Sequence, residues 1–207
     1  MHKLLQKKRK DDVLDTVLKK HLDINRYSRS AIPLERKTGI VIHYTDSATN
    51  TFSRDVNWLY EFLNTTRPAQ EKFASYHYAI DQDGKRYEFI PPTECAWHAG
   101  PTSDTAAEVM DVLGGRPNWS TIGVAFLHPT PDGKPTEKTQ KALIELVSDL
   151  IVEHNIPALH IFRHHDCTGK MCPRYFVENE QEWVNLKRSI YSRVHQKKTR
   201  NTGGLVE

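Results

Sequence analysis

Two short apolar runs constrain the fold of this chain most strongly. Residues 39–45 read Gly-Ile-Val-Ile-His-Tyr-Thr, and residues 121–126 read Thr-Ile-Gly-Val-Ala-Phe. Neither run alternates apolar with polar side chains, and the first is rich in β-branched residues, which is typical of a strand covered on both faces. Strands of this kind occur where helices pack on both sides of a largely parallel sheet.

Helical patterns alternate with these and other strands. A hairpin is predicted from residues 76–80 and 86–90, with Asp83 and Gly84 at its turn. A further strand is predicted at 159–162. Amphipathic spacing predicts helices over residues 53–63, 106–113, 136–154 and 180–194, with Thr136 as the N-cap of the third. The fold class is therefore α/β, with a central sheet that is mixed because of the hairpin and flanked by helices.

The 207-residue length fits one catalytic domain with tails. Apolar residues at helical spacing predict a short helix over residues 11–22, followed by an Arg/Ser/Pro-rich linker at 25–37. We thus expect an N-terminal helix and linker at 1–37, the catalytic domain at 38–194 and a basic tail at 195–207.

Charge and cysteine content exclude several classes of protein. The net charge is only +3 and basic residues concentrate at the two ends, so nucleic-acid recognition is not expected. Three cysteines, an odd number, do not make a disulfide framework. No stretch has the apolar length of a membrane span, and the first residues become charged before a signal-peptide core forms. Synthesis in the cytoplasm is therefore expected.

A dense group of metal-ligating residues follows the last predicted strand. Residues 163–173 contain two histidines and two cysteines, among them His164 and Cys172, while His43 ends the first apolar run. Two His and one Cys leave tetrahedral zinc one open position for water, in a cleft at the sheet edge. Two alternatives stay open: three scattered residues without a common site, or a copper electron-transfer site that uses the nearby Met171.

Five motifs, in order, give the chain a family resemblance. They are Ile-His-Tyr-Thr at 42–45, Ser-Tyr-His-Tyr at 75–78, Trp-His-Ala-Gly at 97–100, Ser-Thr-Ile-Gly-Val at 120–124, and His-His-Asp through Lys-Met-Cys-Pro at 164–173. Over about residues 38–190 the chain resembles the zinc-dependent N-acetylmuramoyl-L-alanine amidases of type 2. These include phage endolysins and animal peptidoglycan recognition proteins.

The resemblance implies roles for individual residues. His43, His164 and Cys172 match the zinc ligands. Tyr76 matches a catalytic tyrosine and Lys170 a lysine that stabilises the oxyanion. Without the resemblance, the pattern favours Tyr76 as a half-buried strand aromatic and Lys170 as a solvated turn lysine.

Other positions bear on the substrate groove and on the general base. The resemblance suggests that residues 92–118 form one wall of the groove, with Trp97, His98 and Asn118 as substrate-binding candidates; His98 reads equally as support for its loop. Much of the family has a Glu where this chain has Ala125. If that Glu is the general base elsewhere, Tyr76 or a metal-bound hydroxide must replace it here.

The implied reaction is hydrolysis of the amide between N-acetylmuramic acid and the L-alanine of peptidoglycan, by a monomer that acts as an endolysin or autolysin. A protein made without a signal peptide would reach the cell wall after lysis or by non-standard export. The alternative within the same fold is a peptidoglycan-binding module without catalytic activity.

Overall fold

The strands and helices below come from a computed structural model that describes residues 16–45, 55–100 and 107–202. The strands are β1 (Val17–Lys19), β2 (Gly39–Tyr44), β3 (Tyr78–Ile80), β4 (Arg86–Glu88), β5 (Thr121–Phe126) and β6 (Ile161–Arg163). The α-helices are α1 (Val56–Glu61), α2 (Arg67–Ala69), α3 (Ala107–Leu113), α4 (Glu137–Glu153), α5 (His164–Thr168), α6 (Arg174–Glu178) and α7 (Glu180–Thr202). A π-helical segment, Phe62–Thr66, joins α1 to α2, and a 3₁₀ turn, Pro117–Trp119, precedes β5.

The strands form one sheet in the order β1-β4-β3-β5-β2-β6. The hairpin pair β3–β4 is antiparallel, whereas the other neighbouring pairs are parallel. The predicted mixed α/β sheet is therefore confirmed. Because β2, β5 and β6 run parallel, their carboxyl ends meet at the same edge of the sheet.

Alternate residues of β2 and β5 pack on different layers, as the pleat requires. Ile40 and Ile42 of β2 belong to the main core cluster, together with Val124 of β5. The long helices α4 and α7 contribute ten further buried residues of this cluster and contact each other. Thr136 caps α4, as predicted, because its side chain accepts a hydrogen bond from the Thr139 amide.

Two smaller clusters cover the opposite face. Val56, Leu59 and Leu63 from the α1 region pack with Ala79 of β3 in one cluster. In the second cluster, Val41 of β2 packs with residues of α3 and with Cys167 of α5. The buried residues of this cluster are Val41, Ala99, Val109, Leu113 and Cys167. His43 also lies on this face, since it is two residues along the same strand from Val41.

The prediction for the N-terminal region was wrong where the structure describes it. Residues 1–15 lie outside the described residues, but Val17–Lys19 is a strand, not part of a helix, and pairs with β4. The predicted linker is packed on the sheet: Leu34 is 6% exposed, and Arg29 forms two hydrogen bonds with the carboxylate of Glu94, of 2.9 and 2.8 Å. Apolar spacing misled here because the same residues can serve a helix face or a half-covered edge strand.

Three further boundaries differ from the predictions. Residues 53 and 54 lie outside the described residues, and the helix that follows them turns π-helical after Glu61. The stretch after β6, predicted as a loop, begins with the short helix α5. The last helix continues past residue 194 to Thr202, where Lys197 binds Glu145 and Asp149 of α4. In the described part of the chain, no helix combines the length and the apolar character needed to cross a membrane.

Candidate active site

Two neighbouring parallel strands bring the first two candidate ligands together. His43 is the fifth residue of β2, and His164 directly follows β6. Ile42 is paired with Arg163 in the register of these strands, so the next residue of each strand leaves the sheet at the same edge. The ring centroids of His43 and His164 are 4.7 Å apart.

A short helical turn returns the chain to this edge at Cys172. The Asp166 carboxylate accepts hydrogen bonds from the Arg163 amide (2.7 Å) and guanidinium, which fixes the start of α5. Gly169 ends the helix with φ of 70°, a conformation that glycine adopts without a steric penalty. The His165 amide then donates to the Cys172 carbonyl at 2.8 Å, which closes the loop.

His43, His164 and Cys172 form a compact cluster. Their potential ligand atoms all lie within 4.8 Å of one another, and the Cys172 Sγ is 3.9 Å from the His43 Nδ1. His43 and Cys172 are buried, while His164 is partly exposed toward a cleft. Two imidazoles and a thiol that converge in this way match a metal site with one side open.

The electrostatics of the cluster favour neutral imidazoles. Burial lowers the pKa of His43 well below its usual value, and His164, His98 and Lys170 act in the same direction. Burial also lowers the pKa of His164 to about 4, with Lys170 contributing. Neutral imidazole is the form that binds a metal ion, so the histidines are prepared for that role at neutral pH.

A chain of hydrogen bonds holds the His43 ring from behind. Its Nε2 lies 3.1 Å from the Nδ1 of His98, and the Nε2 of His98 lies 3.4 Å from the Thr121 carbonyl oxygen. The Thr121 hydroxyl, 3.3 Å from the same nitrogen, gives its own proton to the Pro117 carbonyl (2.6 Å), and the Thr121 carbonyl only accepts. His98 therefore donates through Nε2 and accepts from His43 through Nδ1. This leaves the Nδ1 of His43 as the free lone pair, and it faces Cys172.

Gly123 of β5 makes room for His98. A Cβ atom at this position would lie 2.6 Å from the Cγ and 2.8 Å from the Cδ2 of the His98 ring. On the other side, His77 accepts from the Gly123 amide at Nδ1 (2.9 Å) and pairs through Nε2 with the Glu94 carbonyl oxygen (2.9 Å). Burial lowers the pKa of His77 to about 4. His77 is therefore a neutral residue with both ring nitrogens engaged by backbone groups, and its ring packs against that of His98 with 5.7 Å between centroids.

An open cleft of about 960 Å³ leads to the cluster. Its lining comprises Arg67, Glu71, Lys72, Phe73, Ala74, Tyr76, Trp97, His98, Gly100, Asn118, His164, Thr168 and Lys170. The Tyr76 ring lies 5.1 Å from the His43 ring between their centroids, and Lys170 is exposed at the mouth. All five predicted catalytic and substrate-binding residues thus border the same cleft as His164.

Trp97, His98 and Asn118 differ in how much of each side chain is available. The Asn118 Oδ1 accepts from the amides of His98 (3.0 Å) and Ala99 (2.7 Å), so it holds the 97–100 loop. His98 is only 5% exposed, with both ring nitrogens engaged. Trp97 is half-buried, and its indole N–H donates to the Arg26 carbonyl at 3.1 Å.

Ala125 is the neighbour of His43 across the β2–β5 pair. It is fully buried and presents only a methyl group where much of the family carries a carboxylate. Glu71 is the one acidic residue in the cleft lining within the described part of the chain, and its side chain is exposed. Met171, needed by a copper site, is 45% exposed and offers no support for that alternative.

Several lining residues were missed from the sequence. Arg67, Lys72 and Phe73 border the cleft, and Tyr27 packs behind Phe73. They lie in segments without periodicity or a motif, so no local signal marks them. An exposed Phe between Lys72 and Ala74 was the one available hint, since large apolar side chains at a predicted surface often mark a binding site.

Comparison with known proteins connects this geometry to a family. A family model described as N-acetylmuramoyl-L-alanine amidase matches residues 34–175. The chain belongs to this amidase family. The predicted resemblance is therefore confirmed, and the matched range contains His43, His164 and Cys172 together with the two candidate catalytic residues, Tyr76 and Lys170.

Individual relatives agree with the family match. A probable N-acetylmuramoyl-L-alanine amidase of Bacillus licheniformis is 28% identical over 181 residues, which are 87% of this chain and 49% of the relative. The amidase BlyA of Bacillus subtilis is 27% identical over 186 residues, 86% of this chain and 47% of BlyA. The chain thus spans about half the length of the curated relatives it matches.

Solved structures share the fold of this amidase-family chain. A mutant endolysin from Bacillus subtilis superposes with a TM-score of 0.65 at 22% identity and covers 84% of this chain and 98% of the endolysin. The Staphylococcus aureus hydrolase AmiA superposes with a TM-score of 0.64 at 15% identity, over 89% and 85% of the two chains. At these identities the likeness concerns the fold alone.

Proposed function

We propose that this protein is a zinc-dependent hydrolase that cleaves the amide between N-acetylmuramic acid and the L-alanine of peptidoglycan. The observation that carries the proposal is the convergence of His43, His164 and Cys172 at the inner end of the cleft. Membership of the amidase family supports it. The curated relatives, which are about twice as long, carry amidase names.

The donor set fits zinc. Tetrahedral zinc with Zn–N of about 2.0–2.1 Å and Zn–S of about 2.3 Å separates its ligand atoms by roughly 3.3–3.6 Å. The 3.9 Å between the Cys172 Sγ and the His43 Nδ1 is close to this value. The assigned His43 tautomer leaves Nδ1 free on the side of Cys172. His43, His164 and Cys172 would hold the ion, which supplies Lewis-acid polarisation of the scissile carbonyl when bound.

Lys170 and Tyr76 would act on the substrate from the cleft wall. Lys170 keeps its ammonium group at the mouth beside His164, where it would offset negative charge that develops on the carbonyl oxygen. Tyr76 has a phenol that both donates and accepts hydrogen bonds, and its ring adjoins His43. With Ala125 in place of a carboxylate, Tyr76 is the protein group proposed to hold the attacking water or to donate to the leaving amine.

Of the three substrate-binding candidates, Trp97 is the one proposed to touch substrate directly. His98 is proposed as a positioning residue, since its ring fixes the His43 tautomer and orientation. Asn118 is proposed to support the loop that carries His98. The described lining carries three cationic side chains, those of Arg67, Lys72 and Lys170, and one acidic side chain, that of Glu71. This excess of positive charge suits a stem peptide that bears carboxylates.

The catalytic unit is proposed to begin before residue 38. β1 is an edge strand of the same sheet, and Leu22 and Leu34 are buried in its core clusters. At the other end, α7 keeps ion pairs to α4 beyond residue 194, where the basic tail was predicted to begin. A truncated protein that starts at residue 38 is therefore expected to lose an edge strand and part of the core.

Release of stem peptide from purified peptidoglycan tests the proposal. The expected result is new L-alanine amino termini that vanish with a chelator and return when zinc is added. Absence of release by zinc-loaded protein would contradict the amidase activity.

A second candidate, a peptidoglycan-binding module without catalysis, is favoured by one observation, the alanine at position 125. The same assay separates the two functions. A binding module would sediment with sacculi and bind zinc, yet would release no stem peptide.

A further inference from the structure

Four aromatic rings, those of Tyr27, Phe73, Trp97 and Trp119, follow one another beside the cleft. Ring centroids are 5.2 Å apart for Tyr27 and Phe73, 5.5 Å for Phe73 and Trp97, and 6.3 Å for Trp97 and Trp119. Phe73 and Trp97 line the cleft itself. Phe73 is 53% exposed, although aromatic side chains of this size are normally covered. We refer to Tyr27, Phe73 and Trp97 as the aromatic wall.

Backbone hydrogen bonds fix the aromatic wall in place. The Tyr27 carbonyl accepts from the Ala74 amide at 3.1 Å, and the Arg26 carbonyl accepts from the Trp97 indole N–H at 3.1 Å. Asn25 folds the segment into a turn, because its Oδ1 accepts from the amide of Tyr27 at 2.9 Å. The exposed ring of Phe73 is thus supported on both sides by segments distant in sequence.

The aromatic wall continues directly into the candidate active site. Trp97 precedes His98, whose ring contacts His43, and the cleft lining runs from Phe73 past Tyr76 to His164. Any group that packs on Phe73 would therefore lie in the same cleft as the metal-binding cluster. The rest of the lining is different in character, since Arg67, Lys72 and Lys170 offer cationic groups.

We propose that the aromatic wall binds the saccharide side of the substrate, by packing of a sugar ring of the glycan strand on Phe73 and Trp97. This inference rests on the proposed amidase function, because the scissile amide joins a sugar to a peptide and both must lie beside the cluster. The face of an aromatic ring is electron-rich and attracts the weakly positive C–H groups of a pyranose. A peptide that bears carboxylates is better matched to the cationic part of the lining.

Direct binding of the two halves of the substrate tests this assignment. The probes are peptide-free glycan strands and, separately, free stem peptide, each titrated by calorimetry. Phe73→Ala is the test variant; because the ring is half-exposed, its removal should leave the fold intact, and thermal unfolding checks this. Tyr191→Ala is the matched control, because Tyr191 is equally exposed (55%) but lies on α7, which packs on the opposite face of the sheet.

The expected result is saturable binding of glycan strands that weakens about tenfold in Phe73→Ala and stays unchanged in Tyr191→Ala. In hydrolysis, KM for peptidoglycan should rise in Phe73→Ala while kcat changes little. Equal glycan affinity in Phe73→Ala and wild type, or a Phe73-dependent affinity for the stem peptide alone, would overturn the assignment. Phe73-dependent glycan binding without any stem-peptide release would support the wall and refute the amidase activity.

Discussion

The two faces of the central strands have the same burial but different chemistry. On one face of β2, Ile40 and Ile42 are fully buried against α4 and α7. On the other face, His43 is 1% exposed and its cross-strand neighbour Ala125 is fully buried. The degree of burial therefore does not distinguish the face that only packs from the face that carries the candidate site.

Side-chain size and hydrogen bonding distinguish the two faces of the central strands. The face covered by α4 and α7 is filled by branched and aromatic residues that interdigitate, as a core requires. The site face uses Gly123, and the space it leaves admits the ring of His98, while the small Ala125 lies opposite His43. The imidazoles of His43, His98 and His77 each have a polar partner. One strand can therefore contribute to stability with one face and present candidate metal-binding side chains on the other.

Loss of the Cys172 thiol should have the largest effect, and we expect that effect on zinc binding and activity, although Cys172 also packs in the main core cluster. In Cys172→Ala two imidazoles hold zinc poorly, so we expect no stoichiometric zinc and no detectable stem-peptide release. Metal content by mass spectrometry and the release assay measure this. Cys95→Ala is the matched control, because that buried thiol lies outside the cluster and donates to the Pro33 carbonyl. Full activity and zinc content in Cys172→Ala would remove Cys172 from the ligand set.

A cavity on the face covered by α4 and α7 should lower the stability of the fold with little effect on zinc binding. Leu143→Ala removes a fully buried side chain of α4 and should lower the free energy of unfolding by about 2–5 kcal/mol. Zinc affinity should change much less, because Leu143 lies on α4 whereas His43 and His164 lie on β2 and directly after β6; of the three candidate ligands only Cys172 shares the core cluster of Leu143. Denaturant unfolding and zinc titration give the two values, with Leu159→Ala, 78% exposed, as the neutral control. A large loss of zinc affinity would show that the two faces are coupled.

The exposed end of the site should affect rate more than binding. We expect Lys170→Ala to lower kcat by about 10- to 100-fold with a smaller change in KM, since the contact is made mainly in the transition state and solvent weakens it. Steady-state kinetics on peptidoglycan measure both parameters. Lys141→Ala, on an exposed position of α4, controls for loss of one positive charge. An effect confined to KM would assign Lys170 to substrate binding.

The space that Gly123 leaves for the His98 ring, which contacts His43, should affect zinc affinity. In Gly123→Ala the new Cβ would meet the His98 ring at 2.6 Å, so His98 must shift and release the His43 tautomer. We expect zinc affinity to fall about 10- to 100-fold, as for loss of a residue that orients a metal ligand. Competition with a chelating dye measures this. Gly115→Ala, whose Cβ would lie 3.6 Å from the Met110 side chain, should leave affinity unchanged, and equal values for both variants would argue against the His98 role.

The smallest expected effect concerns the pH dependence of stability. The pKa of His77 falls from 6.5 to about 4 on folding, so the unfolded chain takes up the proton first as pH falls. Its contribution to stability is complete above pH 6.5 and is lost progressively toward pH 4. Between pH 6.5 and 5, wild type should lose about 1–2 kcal/mol more than His77→Gln, which cannot titrate. Parallel unfolding curves at the two pH values would contradict this account of His77.

The strands and the ligand set are the parts that local pattern predicted well. β2, β5, the hairpin and α4 follow from apolar runs, turn residues and periodicity, because each signal lies within a few residues. The residues of the cluster were recognisable by type and by motif. The N-terminal strand was not, since its pairing with β4 joins positions far apart in the chain.

The sequence alone determined that the chain forms an α/β sheet with His43 and His164 at strand ends and Cys172 in the segment that follows, because residue type and local spacing encode both. Only the tertiary structure decided that Phe73 borders the cleft with Tyr27 packed against it, that His98 supports His43, and that Gly123 makes room for His98. The physical reason is that close packing and hydrogen bonding between distant segments depend on which atoms meet in three dimensions. No local pattern in the chain carries that information.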